Sequence, residues 1–389
     1  MSIRKRKWTN ARGVTKERWV VDYVDQHGHR RLKTFGTKKE ADAWNVTAAH
    51  EVKHGVHTAD SDSVTVAEGF DAWIEDCEAN GLERGTIQQR RQHLNLHVKP
   101  FIGADKLSRL AMPRVVEFDG MLRDASRSLS MRRKVVTNLK TALAFCQGKG
   151  WVAQNVARDF KIRSDKRAEK VKLREGVDYP SRAEVRLLMN SAADGRDRAL
   201  LITLVLTGLR ASEARGLPWS NVDLEKAMIH VRQRADKWGT IGNPKSAAGV
   251  RDVPLAPRAV HVLRQWKAAC PPSRANLVFP NGAGNVESHS NLRQRFWEPL
   301  QVKCGLTVDT GRKTPQGAPL LEGRHGIHKL RHVAASLFIA HLGWTPKRLQ
   351  EVMGHSSIVM TFDLYGHLLE DRTGDQDAMM RLEAAITAA

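Results

Sequence analysis

The chain has 389 residues and a formal net charge of +21, from 63 lysines and arginines against 42 aspartates and glutamates. This length favours about two to four domains with cores of their own, and a hydrophobic content of 41% argues against bulk disorder. The excess of positive charge predicts a polyanionic partner, most simply nucleic acid, because neutralising phosphates releases counterions.

The sequence lacks the features of a secreted or membrane protein. The four cysteines lie far apart, which favours neither a zinc module nor a disulfide framework. The basic N-terminus is followed by no apolar run, and the longest apolar stretch, 199–206, is too short to span a bilayer. We therefore expect a soluble protein of a reducing compartment.

Residues 1–58 predict a small β-β-α unit. β-branched and aromatic residues favour strands at 19–24 and 30–35, and a capping box at 37–40 opens a helix. Thirteen basic residues against six acidic ones leave the unit at +7. We predict that the sheet enters a DNA groove; a solvated basic surface is the alternative. The candidate contacts lie on the returning strand and are Arg30, Arg31 and Lys33.

After a polar linker, helical periodicity predicts a second domain over residues 63–165. Its helices are expected after a capping box at 65–68 and around 84–97, 113–124 and 129–147. Between positions 123 and 174, fifteen basic residues stand against four acidic ones. Such a flank could grip the phosphates of a duplex or only keep the protein soluble. The candidate contacts are Arg132, Arg133 and Lys134.

A mostly helical third domain is predicted at residues 176–389. A capping box at 181–184 opens it. One interruption is β-like, because 228–232 and 250–254 flank a polar stretch containing Lys245, as in a long hairpin. The whole chain is thus predicted to be multidomain and mainly α with small β elements.

A turn after the most apolar helix presents an arginine. The glycine of TGLRASE, 207–213, allows the chain to turn sharply and present Arg210 instead of extending the helix. An unpartnered guanidinium beside a buried helix is costly. Glu213 could therefore be its partner, and a plain salt bridge is the alternative to a functional role.

Two histidines and a second arginine stand together in HKLRH. His328 and Arg331 lie three residues apart and share one helical face. His328 and His332 could instead bind a metal, but no carboxylate or cysteine stands at a suitable spacing nearby. We therefore expect no metal site.

Helix start and stop signals at 345–354 place His355 at a helix end. Tyr365 follows ten residues later and, taken alone, would more often be a core or surface aromatic. With the arginines these groups suit phosphoryl transfer. Two guanidiniums can clamp phosphate oxygens, a phenol can displace an ester oxygen, and a lysine or histidine can protonate the departing oxygen. Such a reaction needs neither Mg²⁺ nor ATP, so we expect no cofactor.

These motifs resemble the signature of the tyrosine recombinase (phage integrase) family. The matching residues, in the family's order, are Arg210 in TGLRASE, Lys245 in the hairpin, His328 and Arg331 in HKLRH, His355 in GHSS and Tyr365 in YGH. The resemblance covers roughly 60–389, and residues 1–58 resemble the arm-type DNA-binding module of many integrases.

The resemblance implies that Tyr365 attacks the scissile phosphate, leaving a 3′-phosphotyrosyl link and a free 5′-hydroxyl. Arg210 and Arg331 would hold the phosphate oxygens, and Lys245 would protonate the leaving oxygen. The remaining polar groups would assist the reaction or orient Arg210, and they are His328, His355 and Glu213. Lys329 and Val333 depart from the residues common in the family, but neither departure removes a catalytic group.

The same resemblance implies an arm domain of a small sheet and a helix, a helical core-binding domain and a mixed, mostly α catalytic domain. The expected function is the integration or excision of a phage or mobile element. A chromosome-dimer resolvase or invertase of the same class, or an inert DNA-binding regulator, is the alternative. The expected partners are double-stranded DNA at core and arm-type attachment sites, further copies of the chain in a homotetramer, and accessory DNA-bending or directionality proteins.

The protein is then expected in the bacterial cytoplasm, associated with the nucleoid. The amphipathic segment 377–386 predicts a last helix. It could dock on a neighbouring protomer, as the resemblance implies, or pack on its own chain.

Overall fold

The computed structural model describes residues 1–9, 13, 15–163 and 173–369. The chain divides into two compact units, 1–167 and 168–389. Within the described residues most regular structure is helical, and the strands form four small sheets. The predicted fold class, mainly α with small β elements, is confirmed. No helix in the described part of the chain is long and apolar enough to cross a membrane.

The first unit begins with a three-stranded antiparallel sheet covered on one face by a helix. In sheet order the strands are β1 Ser2–Thr9, β2 Thr15–Val24 and β3 Arg30–Phe35, and the helix is α1 Lys38–Lys53. The predicted capping box is present, since the Glu40 N–H donates to Thr37 Oγ1 and the Thr37 N–H donates to Glu40 Oε2. Val21, Tyr23 and Ala41 form the buried centre between sheet and helix.

The prediction of two strands is wrong in one respect, because β1 adds a third. Positions 4–7 are all lysine or arginine, and only Ile3 in this strand is partly covered. Such a segment lacks the apolar alternation that identifies a strand. It is held instead by backbone pairing with β2 along its whole length and by ion pairs from Lys5 and Lys7 to Glu17.

The rest of the first unit is a helical cluster. Its helices are α2 Val66–Ala79, α3 Arg84–His93, α4 Lys99–Ile102, α5 Met112–Asp124 and α6 Leu129–Gly148. The four predicted helices are all present, and α3 is continued by a π-helical turn at Leu94–Val98. Phe70, Trp73, Phe118 and Leu139 lie in a core of their own, separate from the centre of the sheet.

The second unit joins helices and short strands around one large core. Its helices are α7 Arg182–Ser191, α8 Arg196–Thr207, α9 Ala211–Arg215, α10 Pro257–Ala269, α11 His289–Asn291, α12 Glu298–Lys303, α13 Lys329–Leu342, α14 Pro346–Met353 and α15 Ile358–Leu369. Its strands are β4 Val222–Asp223, β5 Met228–Val231, β6 Arg234–Ala235, β7 Ile241–Gly242, β8 Arg251–Pro254, β9 Thr307–Lys313 and β10 Pro319–Gly323.

The predicted long hairpin is confirmed, since β5 pairs antiparallel with β8 and the segment between them contains Lys245. The expectation of a single β interruption is wrong, because β9 and β10 form a second hairpin. Its strands are mostly exposed and polar, so the sequence shows no apolar alternation there.

Helix α8 is buried on nearly all sides and packs against α10 and α13. A helix that is apolar all round belongs in a core, and here it fixes the turn that follows it. Helices α14 and α15 pack on each other and on α13. These contacts bring the C-terminal motifs beside the end of α8. The segment 377–386 lies outside the described residues.

Candidate active site

The first arginine of the site is fixed by the turn between α8 and α9. α8 ends at Gly208, whose φ of +64° is readily adopted only by glycine. Arg210 follows at the start of α9. Its backbone N–H donates to Glu213 Oε2 at 2.9 Å and its Nη1 donates to Glu213 Oε1 at 2.7 Å. The turn thus presents Arg210 with 33% of its side chain exposed.

Glu213 joins Arg210 to another guanidinium, that of Arg251 on β8. Arg251 donates from Nη1 to Glu213 Oε1 at 3.0 Å and from Nη2 to Oε2 at 2.8 Å. Burial alone would raise the pKa of Glu213, but the hydrogen bonds and charge of Arg251 and the charge of Arg210 lower it to about 2. The carboxylate is therefore charged at neutral pH and holds two arginines in fixed positions.

Arg331, in the first turn of α13, is almost fully enclosed, with 3% of its surface exposed. It donates from Nη1 to the Gly208 carbonyl at 2.6 Å and from Nη2 to the Met353 carbonyl. Burial, together with the positive charge of Arg210, lowers the pKa of Arg331 to about 9. At neutral pH the site therefore contains a charged guanidinium that has already lost its water.

The three guanidiniums meet at the C-terminal end of α14. Arg251 donates to the carbonyl of residue 352 at 2.6 Å, and Arg331 donates to that of residue 353. Arg210 donates to the carbonyl of residue 354 at 2.9 Å. The final carbonyls of a helix have no donor within the helix and carry partial negative charge. Each of them therefore stabilises one cation, and one helix end gathers all three.

Tyr365 lies on α15 against this cluster. Its side chain is buried, and its Oη is 2.6 Å from Nδ1 of His332. The ring is parallel to that of His355 within 10°, with 6.4 Å between the centroids. Burial raises the pKa of Tyr365, and the charge of Arg331 offsets this only in part. The hydroxyl is therefore protonated at neutral pH.

His355 directly follows the end of α14 and is buried. Its Nδ1 lies 2.9 Å from the hydroxyl of Thr361, and its backbone N–H donates to the Gln350 carbonyl. Burial and then the charges of Arg331 and Arg210 lower the pKa of His355 to about 3. The imidazole is therefore neutral at neutral pH, beside the cations.

The two other predicted groups are more exposed. His328 precedes α13, and loss of water around its ring, together with the charge of Arg331, lowers its pKa. Lys245 lies between β7 and β8, three residues before Ala248. The Ala248 carbonyl packs so closely on Gly354 that a Cβ on that glycine would lie 2.8 Å from it. The lysine segment therefore borders the cluster.

The three predicted arm contacts do not share one face of the sheet. Side chains alternate along β3, so Arg30 lies on the open face while Arg31 and Lys33 lie on the face that α1 covers. Each is ion-paired with carboxylates: Arg30 with Asp22, Arg31 with Asp25 and Asp62, and Lys33 with Asp60.

The open face carries further basic residues that the sequence analysis does not assign. They are Arg4, Arg6, Lys16 and Arg18, and all four are exposed. Trp8 and Leu32 are exposed on the same face. Because two of these residues belong to β1, only a prediction of that strand could have found the full set.

On α6 the candidate contacts separate into one paired and two exposed residues. Arg132 is half-buried and donates to both carboxylate oxygens of Asp119, from Nε at 2.8 Å and from Nη2 at 2.5 Å. Arg133 and Lys134 are exposed and line an open groove between α3 and α6.

Sequence reasoning misses two members of the site. Side chains alternate along β8, so Arg251 lies on the same side as the buried Val253. This alternation could have identified Arg251 as a buried residue of the site. His332 is weighed in the sequence only as a metal ligand, whereas its Nδ1 lies against Tyr365, 33 residues away in the chain. No local pattern shows such a contact.

The chain is similar in sequence to known proteins. Residues 181–372 match the model of the phage integrase family. Over 373 residues the chain is 23% identical to a protein named tyrosine recombinase XerC-like from Caldanaerobacter subterraneus subsp. tengcongensis, covering 89% of this chain and 90% of that protein.

Two solved structures share the fold. The Tn1549 transposon integrase in complex with a circular intermediate DNA is 20% identical, with a TM-score of 0.64, covering 82% of this chain and all of that one. A lambda integrase tetramer bound to a Holliday junction is 14% identical, with a TM-score of 0.57, covering 90% of this chain and 95% of that one.

The chain therefore belongs to the tyrosine recombinase (phage integrase) family. It is a site-specific DNA recombinase, an enzyme that cleaves and transfers DNA strands. The predicted family and enzyme class are confirmed.

Proposed function

We propose that this recombinase cleaves DNA with Tyr365 as the nucleophile, giving a 3′-phosphotyrosyl link and a free 5′-hydroxyl. One observation carries the proposal: the Tyr365 hydroxyl contacts His332, the residue after Arg331, and is close enough to Arg331 for that charge to lower its pKa. Attack on a phosphodiester concentrates negative charge on its non-bridging oxygens, and preorganised cations lower the barrier to that charge.

Arg210 and Arg331 would bind the two non-bridging oxygens. A guanidinium has five N–H donors, and the contacts of each arginine to the protein engage its two Nη atoms. These contacts fix the plane of the guanidinium while leaving further N–H groups for a phosphate. Lys245, exposed beside the cluster, would protonate the leaving 5′-oxygen.

His355 and His328 would assist by hydrogen bonding and proton transfer. Their lowered pKa values leave both rings neutral at neutral pH, so each can donate from one nitrogen and accept at the other. Glu213 would act through Arg210, by holding it in place.

We further propose that the chain is the integrase of a phage or mobile element. The arm region 1–58 would bind arm-type sites through the open basic face of its sheet. The region 63–165 would bind core sites through the groove with Arg133 and Lys134, and 176–389 would carry the chemistry. Binding of two DNA sites by one chain suits integration, which joins separate duplexes.

The assembled form would be a homotetramer on DNA, by analogy with the lambda integrase tetramer bound to a Holliday junction. Accessory DNA-bending or directionality proteins would act on the same assembly, on the nucleoid of the bacterial cytoplasm. A chromosome-dimer resolvase is the second candidate, favoured by the similarity to a XerC-like protein. Binding of two unrelated DNA sequences at once would support the integrase, and binding of one sequence class would support the resolvase.

Trapping of the covalent intermediate tests the chemistry. A nicked duplex of the element's own junction lets the cleaved end diffuse away, so a protein–DNA adduct accumulates and can be mapped by mass spectrometry. We expect the adduct at Tyr365, and Tyr365→Phe should bind DNA but form none. Tyr23→Phe, in the arm region, is the control and should form it. An adduct in Tyr365→Phe would show that another residue is the nucleophile.

Removal of divalent metal tests the role given to the cations. If guanidiniums and a lysine supply the charge, the adduct should form at an unchanged rate in excess EDTA. Loss of cleavage in EDTA, restored by Mg²⁺, would contradict the proposed mechanism.

A further inference from the structure

We propose that His332 is a catalytic residue that accepts the proton of the Tyr365 hydroxyl as the phosphotyrosyl bond forms. The proposal rests on the proposed function, because it assumes that Tyr365 is the nucleophile.

Geometry singles out His332 among the histidines of the site. Its Nδ1 lies 2.6 Å from Tyr365 Oη, which is hydrogen-bond distance for direct proton transfer. The ring of His355 instead faces the phenol, and its Nδ1 is engaged by Thr361. His328 stands behind His332, edge-on to it at 5.7 Å between centroids.

The position in the chain fixes this contact. His332 directly follows Arg331 on α13, one turn after His328. Arg331 is bonded at both Nη atoms and therefore cannot shift without moving the start of the helix. The phenol is buried on the facing helix α15. The acceptor nitrogen and the nucleophile are thus held by rigid elements and not by loops.

Burial and the neighbouring positive charges keep His332 neutral, so its ring can accept a proton. Burial, followed by the charges of His328, Lys329 and Arg331, lowers the pKa of His332 to about 4, so the ring is neutral at neutral pH. Tyr179, at 6.4 Å between centroids, is a further ionisable ring beside it. A bound phosphodiester would offset the charge of Arg331 and make an imidazolium less costly. The base would then gain strength when DNA is in place.

In the proposed step one bond to phosphorus forms, one breaks, and two protons move. Tyr365 Oη forms a bond to phosphorus, and its proton passes to His332 Nδ1. The bond from phosphorus to the 5′-oxygen breaks, and that oxygen takes a proton from Lys245. In the rejoining step a 5′-hydroxyl attacks phosphorus and returns its proton to the neutral Lys245, and the departing phenolate takes its proton back from His332. No oxidant, metal or further reactant is required.

Two variants separate proton transfer from simple positioning. His332→Asn keeps a polar group near the position of Nδ1 but cannot take up a proton, and His332→Ala removes the group altogether. We expect both variants to bind the junction duplex normally and to form the adduct about 10²–10⁴-fold more slowly in single-turnover cleavage. His341→Ala, an exposed histidine at the far end of the same helix, is the control and should react at the unaltered rate.

A substrate with sulfur in place of the bridging 5′-oxygen tests which proton is involved. A thiolate leaves without protonation, so Lys245→Ala should recover on this substrate. The His332 variants should stay slow, because attack still requires loss of the phenol proton. Added imidazole should accelerate His332→Ala, since it can enter the vacated space, and should not accelerate His332→Asn.

Several results would overturn the proposal: an unaltered adduct rate in His332→Asn, recovery of the His332 variants on the sulfur substrate, or no response of His332→Ala to imidazole. If His332→Ala does not fold, His332→Asn on the two substrates still decides the matter. An adduct that survives in Tyr365→Phe would instead refute the proposed function, so the two failures are distinguishable.

Discussion

Arginines in the two units of the chain are stabilised in opposite ways. On the sheet of the first unit, Arg30 pairs with Asp22 while keeping 70% of its side chain exposed. In the second unit, Arg331 is buried and is held by backbone carbonyls, and Arg251 is held by the buried Glu213. The guanidinium of Arg30 therefore stays hydrated, whereas those of Arg331 and Arg251 are largely removed from water.

We propose that this difference separates DNA binding from catalysis. An arginine that stays largely exposed can exchange its carboxylate for a phosphate, which gives salt-dependent affinity for DNA. A buried guanidinium has lost its water during folding, so its charge acts on a reacting phosphate without further rearrangement. Under the proposed function, arginine would thus serve in DNA binding or in catalysis according to its burial.

Removal of the central carboxylate should have the largest effect. In Glu213→Ala, Arg251 and Arg210 would lose a buried partner, and we expect the second unit to lose about 3–5 kcal/mol of unfolding free energy. Denaturant unfolding measures this. Glu225→Ala, which breaks an exposed pair with Arg264, is the matched control and should cost about 0–1 kcal/mol. Equal losses in the two variants would show that burial does not distinguish the pairs.

Acid should destabilise the second unit through its neutral histidines. His355 has an ordinary pKa of 6.5 when unfolded and about 3 when folded. Between these values the unfolded chain binds more protons, so the free energy of unfolding falls as the pH falls from 6.5 towards 3. Glu213, whose folded pKa is about 2, adds a loss below its ordinary value of 4.5.

For His355 we expect a slope of about 1 kcal/mol per pH unit. Denaturant unfolding between pH 7 and 4 tests this. His355→Gln should be less sensitive to pH than the natural chain, and His341→Ala should match the natural chain. A steeper dependence in His355→Gln would contradict the assignment of a buried neutral imidazole.

Substitution at the end of α14 should have a smaller effect on stability but a clear one on cleavage. Gly354 has a φ of +63°, and an added Cβ would lie 2.8 Å from the Ala248 carbonyl and 3.0 Å from the Arg251 side chain. Gly343 has a φ of +58° with open space around it. We expect about 1–2 kcal/mol of backbone strain in each alanine variant, with a further clash against the Ala248 carbonyl and slower adduct formation only in Gly354→Ala. Equal cleavage rates would show that the helix end does not position the arginines.

The smallest effect is expected on the arm. Arg18 is exposed on the open face of the sheet, whereas Arg31 is half-buried and paired on the other face. Arg18→Ala should reduce the slope of log affinity against log salt by about 0.9 on a random-sequence duplex, and Arg31→Ala should leave it unchanged. Fluorescence titrations at several salt concentrations measure both. Equal changes would remove the distinction between the faces.

Sequence-based prediction succeeded where local chemistry determines structure. The capping pairs Thr37 with Glu40 and Thr65 with Glu68 are formed as predicted, because a cap depends on residues three apart. Likewise, Thr345 and Gly354 mark the two ends of α14. These signals position the helices that carry the family motifs.

Contacts between distant segments could not be predicted in this way. The pairing of Arg251 with Glu213 joins residues 38 positions apart, and it requires the hairpin to pack on α9. The sequence does not predict β1, because its run of lysines and arginines shows no apolar alternation. Backbone pairing with β2 holds the strand instead. The prediction that Arg31 and Lys33 contact DNA stays a prediction, and it rests on charge and strand position, which do not reveal the nearby aspartates of the folded unit.

The hydrogen bonds from three guanidiniums to the last carbonyls of α14 have a consequence for how the sequence can change. Backbone oxygens are present whatever the side chains, so outward-facing positions such as Lys347 and Glu351 are free to drift among related chains without loosening the cations. What must persist is the shape of the final turn. Selection on this helix should therefore act on where it stops, and only weakly on what its exposed surface displays.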